Sequence, residues 1–368
     1  MENNIKLRSV RGTHDLYGKE IEKYNEIKNT VTENAVARSF NEIKTPIIEF
    51  TELFLKPLGI QSDVVLKEMY TFKDRNNESL TLRPEYTTPM IRAAITNNLL
   101  SELPLKLYGL GSMFRRERPQ KGRYREFNQI NFETFGSDKF MVDLELIILA
   151  NDILKSLLPN HKIKLHLNML GTKQNLAEYK RNLSIYFNQN KHKLSSESLE
   201  KIDSNPIRIL DSKNEDDVKL INLAPSIREY ISPNSKKFFD EIKQGLNNFN
   251  IDFYENHKLV RGLDYYCSTV FEFKTDSLGS QDTLLGGGRY DGLIKSLGGP
   301  DIPGVGWAAG IERISMLMEN QKLKKNIVHL AITDEKYNNY VQEIIKFFRD
   351  NKISFYWNYK YNLKKSLT

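Results

Sequence analysis

The sequence predicts an α+β protein, an antiparallel β-sheet with helices packed around it. Three observations carry that class. Two β-like runs, Leu105 to Arg115 and Phe127 to Phe135, flank a polar loop, the pattern of an antiparallel hairpin. A second hairpin reads from Met69–Phe72 and Leu80–Leu82 across the polar turn Asp74–Asn77. Apolar residues also recur at helical spacing, as with Ile21, Tyr24, Ile27, Val31 and Ala35 in the segment 18–39.

The remaining elements follow in chain order. Ile43–Phe50 reads as a strand, and Pro46 marks it as an edge or a bend because proline donates no ladder hydrogen bond. Thr87–Leu100 reads as a helix with Thr88 and Pro89 near its start. Val142–Leu158 is a strongly apolar helix and Ile163–Leu167 a short strand. From Gly171 to Asn250 the chain turns rich in Lys, Asn, Ser and Glu with loose helical periodicity. This predicts a helical insertion between Ile163–Leu167 and a strand at Ile251–Tyr254.

A strand at Tyr265–Phe273 comes next, then a polar turn at Asp276–Gln281 and a glycine-rich return at 286–288. A helix is expected from Tyr290 to Leu297. Gly304–Ala309 is a small-residue strand leading into a helix that carries Glu312 and Arg313. The last segment has β-α-β character (Ile327–Ile332, a helix over 334–350, Ile353–Trp357), and Asn362-Leu-Lys-Lys365 reads as the start of a further helix. The chain thus divides into a first core part (1–170), an insertion (171–250), a second core part (251–322) and a partial α/β domain (326–368).

A chain of 368 residues with 39% apolar content can bury a substantial core, and its formal net charge of +7 suits a polyanionic partner. The single cysteine, Cys267, excludes a disulfide framework and a cysteine-based zinc site. No run approaches the roughly 18 apolar residues of a membrane span, and no signal-peptide pattern is present. A cytoplasmic location is expected. Histidines 14, 161, 166, 192, 257 and 329 show no metal-ligand spacing, so no protein-held metal is predicted. The absence of a GxxxxGK[ST] loop excludes a P-loop nucleotide site.

The loop of the first hairpin holds Arg115, Arg116, Glu117, Arg118, Lys121, Arg123 and Arg125. A loop so cationic calls for an anion, and arginine is suited to forked contacts with phosphate or carboxylate. The flanking strand adds inward-looking polar residues, Gln129 and Glu133, that a structural hairpin does not need. Arg261, in Leu259-Val-Arg-Gly-Leu-Asp-Tyr-Tyr266, sits among apolar neighbours. A buried guanidinium there requires a counter-charge, which is either a ligand or Asp264.

The stretch from Tyr108 to Gly136 resembles the second signature of class II aminoacyl-tRNA synthetases, in the form found in histidyl-tRNA synthetases. Four other stretches agree in order: Arg11-Gly-Thr-His-Asp15, Leu82-Arg-Pro-Glu-Tyr-Thr87, the Arg261 segment, and Gly286-Gly-Gly-Arg-Tyr-Asp-Gly292 with Gly304–Arg313. The resemblance implies a class II antiparallel sheet flanked by helices, with a helical insertion and a partial C-terminal anticodon-binding-type domain. The implied reaction is ATP-dependent activation of L-histidine and its transfer to the 3′ end of tRNA(His).

By that resemblance, Arg115 contacts the α-phosphate and the histidine carboxylate. Glu117 and Arg123 hold the adenine edge and distal phosphates, Phe127 stacks on the base, and Arg313 covers its other face. Arg261 supports the α-phosphate where related enzymes use a divalent ion, which makes Arg115 and Arg261 the catalytic pair and neighbours of bound histidine. Glu85, Thr87 and Gln129 take the ammonium; Glu133, Tyr266, Tyr265 and Tyr290 address the imidazole. Tyr86 counts among the histidine-site residues, in a place where many bacterial relatives have glycine, and its bulk is expected to alter the loop. Gly304, Gly306 and Gly310 are expected to let the backbone approach the nucleotide.

ATP is the expected substrate, arriving with Mg²⁺. A homodimer is implied, its interface including the N-terminal helix and the strand near Pro46. An insertion at 171–250 leans over the tRNA acceptor end in that family, with plain surface decoration as the other reading. The competing function is a histidine-sensing regulatory subunit of ATP phosphoribosyltransferase, which lacks nucleotide-binding arginines. Arg115, Arg123, Arg261 and Arg313 favour the enzyme. The C-terminal segment is short for an anticodon-binding module, and truncation is the expectation.

Overall fold

The computed structural model describes residues 7–59, 62, 64–279, 282–319 and 327–361. One compact unit comprises Met1–Met318 and a second Glu319–Thr368. In the first, helix α1 (Lys19–Ala37) buries Ile27, Val31 and Ala35, the face its spacing foretells. Of the expected strand 43–50 only the last three residues form one, and a separate two-residue strand precedes it. Asn41–Glu42 (β1) joins the large sheet and Ile48–Phe50 (β2) a small one, with Pro46 between them unable to donate to either ladder. Helix α2 (Glu52–Leu58) follows, and then the expected hairpin, β3 (Tyr70–Lys73) with β4 (Ser79–Leu82), completes the small sheet in the order β2-β4-β3.

The long hairpin is β5 (Leu105–Phe114) and β6 (Glu126–Phe135), preceded by α3 (Thr87–Thr96) and followed by α4 (Phe140–Leu157). Beyond β7 (Lys164–Met169) come α5 (Lys173–Gln189), α6 (Ser196–Leu199), α7 (Glu215–Ile221) and α8 (Pro233–Asn248). The chain then returns through β8 (Phe253–Glu255), β9 (Cys267–Lys274), β10 (Thr283–Arg289), α9 (Leu293–Ser296), β11 (Gly304–Gly310) and α10 (Ile311–Leu317). Helix α9 is shorter than expected because Gly292 and Gly298, at φ 79° and 88°, hold left-handed turns at either side of it.

The eight-stranded sheet runs β1-β5-β6-β11-β10-β9-β7-β8. It is antiparallel through its centre, as expected, but its edges are parallel: β1 with β5, and β8 with β7. The sheet is therefore mixed. A parallel neighbour cannot be reached by a tight turn and needs a crossover. The helical stretch from α5 to α8 is that crossover between β7 and β8.

Under the sheet lies α4, with Leu144, Leu146, Ile147, Leu149, Ala150, Ile153 and Leu154 all buried. Trp307 of β11 packs on Phe132 of β6 with ring centres 4.7 Å apart, and its indole donates to the Leu146 carbonyl at 3.1 Å. The start of α4 is tied to the end of β10 by a buried ion pair, Asp143 with Arg289, at 0% and 2% side-chain exposure.

In the second unit, β12 (Val328–His329) and β13 (Phe355–Tyr356) pair in parallel, with α11 (Asn338–Asp350) between them in sequence. This is the expected β-α-β order. The helix start expected at 362–365, the boundary at 322–326 and Gln281 lie outside the described residues. Among those described, no helix is long and apolar enough to cross a membrane.

Candidate active site

The central strands carry a cleft of about 340 Å³ on one face. Arg115 is the first residue past β5, and its amide still bonds the Arg125 carbonyl at 2.9 Å, so the ladder delivers it at a fixed place. Its Nε donates to the Pro84 carbonyl at 2.8 Å and its guanidinium stands 5.3 Å from the Phe127 ring centre. The loop beyond is closed by a Gln120–Arg123 bridge and an ion pair between Arg123 and Glu117. The Arg125 amide donates to the Gly12 carbonyl at 2.7 Å, which ties the Arg11–Asp15 motif to the base of this loop.

Arg261 enters from the turn before β9. It pairs with Glu272 of β9, not with Asp264, which bonds Asn205 at 2.8 Å instead. A Cβ at Gly286 would lie 2.4 Å from both terminal nitrogens of Arg261, so only glycine leaves this bed for the guanidinium. Arg313 of α10 donates to the carbonyls of Gly122 at 3.0 Å and Thr283 at 2.7 Å. Arg115, Arg123, Arg261 and Arg313 thus line one cleft together with Glu117 and Phe127.

Their charges strain against one another. Burial lowers the pKa of Arg115 and of Arg313, and neighbouring guanidiniums add to it, Arg261 for the first and Arg123 and Arg115 for the second. Burial also opposes the charge of Arg261, but Glu272, with Tyr266, Tyr265 and Asp211 adding to it, raises its pKa on balance. Such a cluster gains most from an arriving anion.

The other wall is acidic and aromatic. The Glu85 carboxylate accepts from the backbone amides of Thr87 at 2.8 Å and Thr88 at 2.9 Å and from the Thr88 hydroxyl, capping α3 at its N-terminus. Burial nevertheless pushes its pKa up. Gln129 and Asn131 lie two residues apart on one face of β6, in the cleft wall, and their side-chain oxygens are buried without a hydrogen-bond partner. Unpartnered acceptors of this kind suit a ligand donor.

Glu133, next on that face, lies one layer beneath. It accepts from the Thr87 hydroxyl at 2.7 Å and from the Tyr290 hydroxyl. Tyr265 and Tyr266 line the cleft, with Tyr290 edge-on behind them at centre distances of 5.6 and 6.3 Å.

Two expectations change. A Cβ at Gly306 would fall 1.6 Å from a Glu133 carboxylate oxygen, and one at Gly304 would strike the Tyr290 ring at 2.4 Å. These glycines make room for the protein's own acid and phenol, and only Gly310 of the expected trio lines the cleft. Tyr86 turns away. Its hydroxyl donates to the Ile43 carbonyl at 3.1 Å, and its ring lies against Gly109 and 4.1 Å from the Arg83 guanidinium. Its bulk is housed where Gly109 leaves space, so it is not part of the cleft.

The sequence reading missed Asn131, Glu272, Glu312, Glu68 and Arg208. Asn131 shares the alternation of Gln129 and Glu133, a signal that could have found it. Glu312 holds the Asn128 amide at 2.8 Å and its side chain at 2.9 Å, a pairing between distant segments with no trace in spacing.

Burial pushes the Glu133 carboxyl from 4.5 up to about 8, against the pull of Thr87 and Tyr290. Between those values the unfolded chain releases a proton that the folded one keeps, so rising pH destabilises the fold through this group. Glu133→Gln removes the effect. The thermal midpoint of the variant should exceed the parent's by a few degrees at pH about 8 and lose that advantage near pH about 5. A gap independent of pH would refute the assignment.

Among the described residues, no group of three or more His, Cys, Asp or Glu is placed to hold a metal ion.

Residues 12–314 match the family model for histidyl-tRNA synthetase. The histidine–tRNA ligase of Ehrlichia ruminantium (strain Welgevonden) is 48% identical over 336 residues, covering 91% of this chain and 80% of that protein. That of Ehrlichia canis (strain Jake) is 45% identical over 356 residues, covering 96% and 86%. The apo S. aureus histidyl-tRNA synthetase structure superposes with a TM-score of 0.80 at 31% identity, covering 98% of this chain and 87% of that one. A Bacillus halodurans structure described as an ATP phosphoribosyltransferase regulatory subunit/histidyl-tRNA synthetase shares the fold, with a TM-score of 0.71 at 19% identity over 96% of this chain and 93% of that one. On the cleft's guanidinium cluster, its ordered motifs and this agreement over most of the sequence, the chain belongs to the histidyl-tRNA synthetase family.

Proposed function

We propose that the cleft binds ATP and L-histidine side by side and joins them as histidyl-adenylate, making the protein a histidine–tRNA ligase. The observation that carries this is the meeting of Arg115, Arg123, Arg261 and Arg313 beside a wall that offers acceptors and phenols. In the reaction the histidine carboxylate attacks the α-phosphorus, a carboxyl–phosphorus bond forms, and the bond to the β-phosphate breaks with loss of pyrophosphate. The terminal ribose hydroxyl of tRNA(His) then attacks the carbonyl and releases AMP. Negative charge concentrates at the α-phosphate in the first step, where fixed cations lower the barrier most.

In this reading Arg261 and Arg115 hold the α-phosphate, and Arg115 also meets the incoming carboxylate. Phe127 and Arg313 sandwich the adenine, with Glu117 and Arg123 at its edge and at the distal phosphates. Mg²⁺ travels with ATP on the outer phosphates. The ammonium meets Gln129 and Asn131, whose oxygens have no other partner. Tyr265 and Tyr266 address the imidazole, and Glu133 and Tyr290 support them from beneath. The exposed apolar residues Ile48, Phe50 and Phe72 of the small sheet share one face, on which a second copy docks.

The test is ATP–pyrophosphate exchange. L-histidine alone among amino acids should drive it. Tight histidine binding without exchange would favour a histidine-sensing regulatory subunit instead. The retained arginines speak against that second reading.

A further inference from the structure

The turn Pro206–Asp211, within the helical crossover between β7 and β8, reaches back to the cleft. Arg208 lines the cleft beside Arg261 and donates to the carbonyl of Gly262, the residue that follows Arg261. Its guanidinium also stands 3.8 Å from the carboxylate of Asp264. Asn205, only 4% exposed, donates to that same carboxylate at 2.8 Å. Two side chains from one remote segment therefore grip the turn 262–264 immediately after Arg261.

This grip matters because of how Arg261 is held. One carboxylate, Glu272, takes a terminal nitrogen, while Nε is buried with no partner. A guanidinium anchored at one end keeps its aim only if its backbone is fixed. A displacement of about 1 Å at a reacting centre is enough to cost on the order of 10²-fold in rate. Resting on the reading of Arg261 given above, we infer that Arg208 is a positioning residue, fixing the 261–264 turn so that Arg261 stands ready at the α-phosphate. The helical crossover is thereby joined to the activation site through this turn of chain.

The experiment is a double-mutant cycle on the full chain, read by histidine-dependent ATP–pyrophosphate exchange. Arg208→Ala should lower kcat by about 10-fold to 10²-fold and leave the KM for histidine within about 3-fold, because the histidine pocket keeps its groups. Arg208→Lys, which keeps a donor for the Gly262 carbonyl, should recover part of the rate. The double variant Arg208→Ala, Arg261→Ala should be no slower than Arg261→Ala alone. Losses that multiply in the double variant would mean that Arg208 acts on the substrate itself and would overturn the inference. So would an Arg208→Ala rate within about 3-fold of the parent. If Arg208→Ala does not fold, Asn205→Ala carries the same test, and an unchanged kcat there overturns the proposal. Full exchange in Arg261→Ala would instead overturn the reading of Arg261 itself.

Discussion

Arg261→Ala lowers histidine-dependent ATP–pyrophosphate exchange by about 10²–10³-fold, the usual consequence of removing one fixed donor from a site of developing charge. The side chain is 18% exposed, paired to Glu272 and seated on Gly286, so its charge is already positioned before substrate arrives. Truncation removes the guanidinium that lies 5.7 Å from the Tyr266 ring centre, but Gln129 and Asn131 stand on β6 and Tyr265 and Tyr266 keep their packing against Tyr290. Histidine binding, measured by calorimetry on the same variant, should therefore remain while kcat falls. Undiminished exchange would remove Arg261 from the mechanism. Loss of histidine binding along with exchange would make it a structural residue of the pocket.

Asp143→Ala destabilises the fold by about 3–5 kcal/mol, the range for stripping one partner from a buried ion pair. Arg289 approaches Asp143 with Nε 3.3 and 3.2 Å from the two carboxylate oxygens and also donates to the Ser137 carbonyl at 3.0 Å. Without Asp143 its buried charge keeps only carbonyls and the more exposed Asp291. The effect is one of an uncompensated charge, so adding Arg289→Met should restore much of the loss. Urea unfolding of the two variants separates these cases. A single-variant cost under about 1 kcal/mol would show that the pair contributes little. Arg289 immediately precedes Tyr290, so the same damage should reach the Tyr290–Glu133 contact.

Much of the fold was legible because its signals are local. The alternation from Phe127 to Phe135 and the apolar spacing of α1 and α4 each report which face meets the core, and the core obliged. The parallel edges were not legible, since strand direction at an edge depends on how a crossover closes and not on the strand's own residues. The strand 43–50 was shortened to its last three residues, with Pro46 in the irregular stretch before them.

The site divides along the same line. Arg115, Arg123 and Arg261 stood out because clustered or apolar-embedded arginines demand anions, whereas Arg313 was singled out only through the family's motif. Glu272 and Arg208 did not, because an acid on a strand or a base in a polar helical stretch looks like any solvated charge.

By itself, the sequence determined which chemical groups this protein could bring to bear: the cationic loop, the acids and tyrosines of the wall facing it, and the glycines that keep space open. Tertiary structure alone decided which of them meet. It placed Glu133 and Tyr290 beneath the cleft, turned Tyr86 out of it, and gave Arg261 its partner in Glu272. Those outcomes are set by strand pairing and burial between residues far apart in the chain, and the interaction of buried charges depends on such separations and on the loss of water, neither of which is written in residue order.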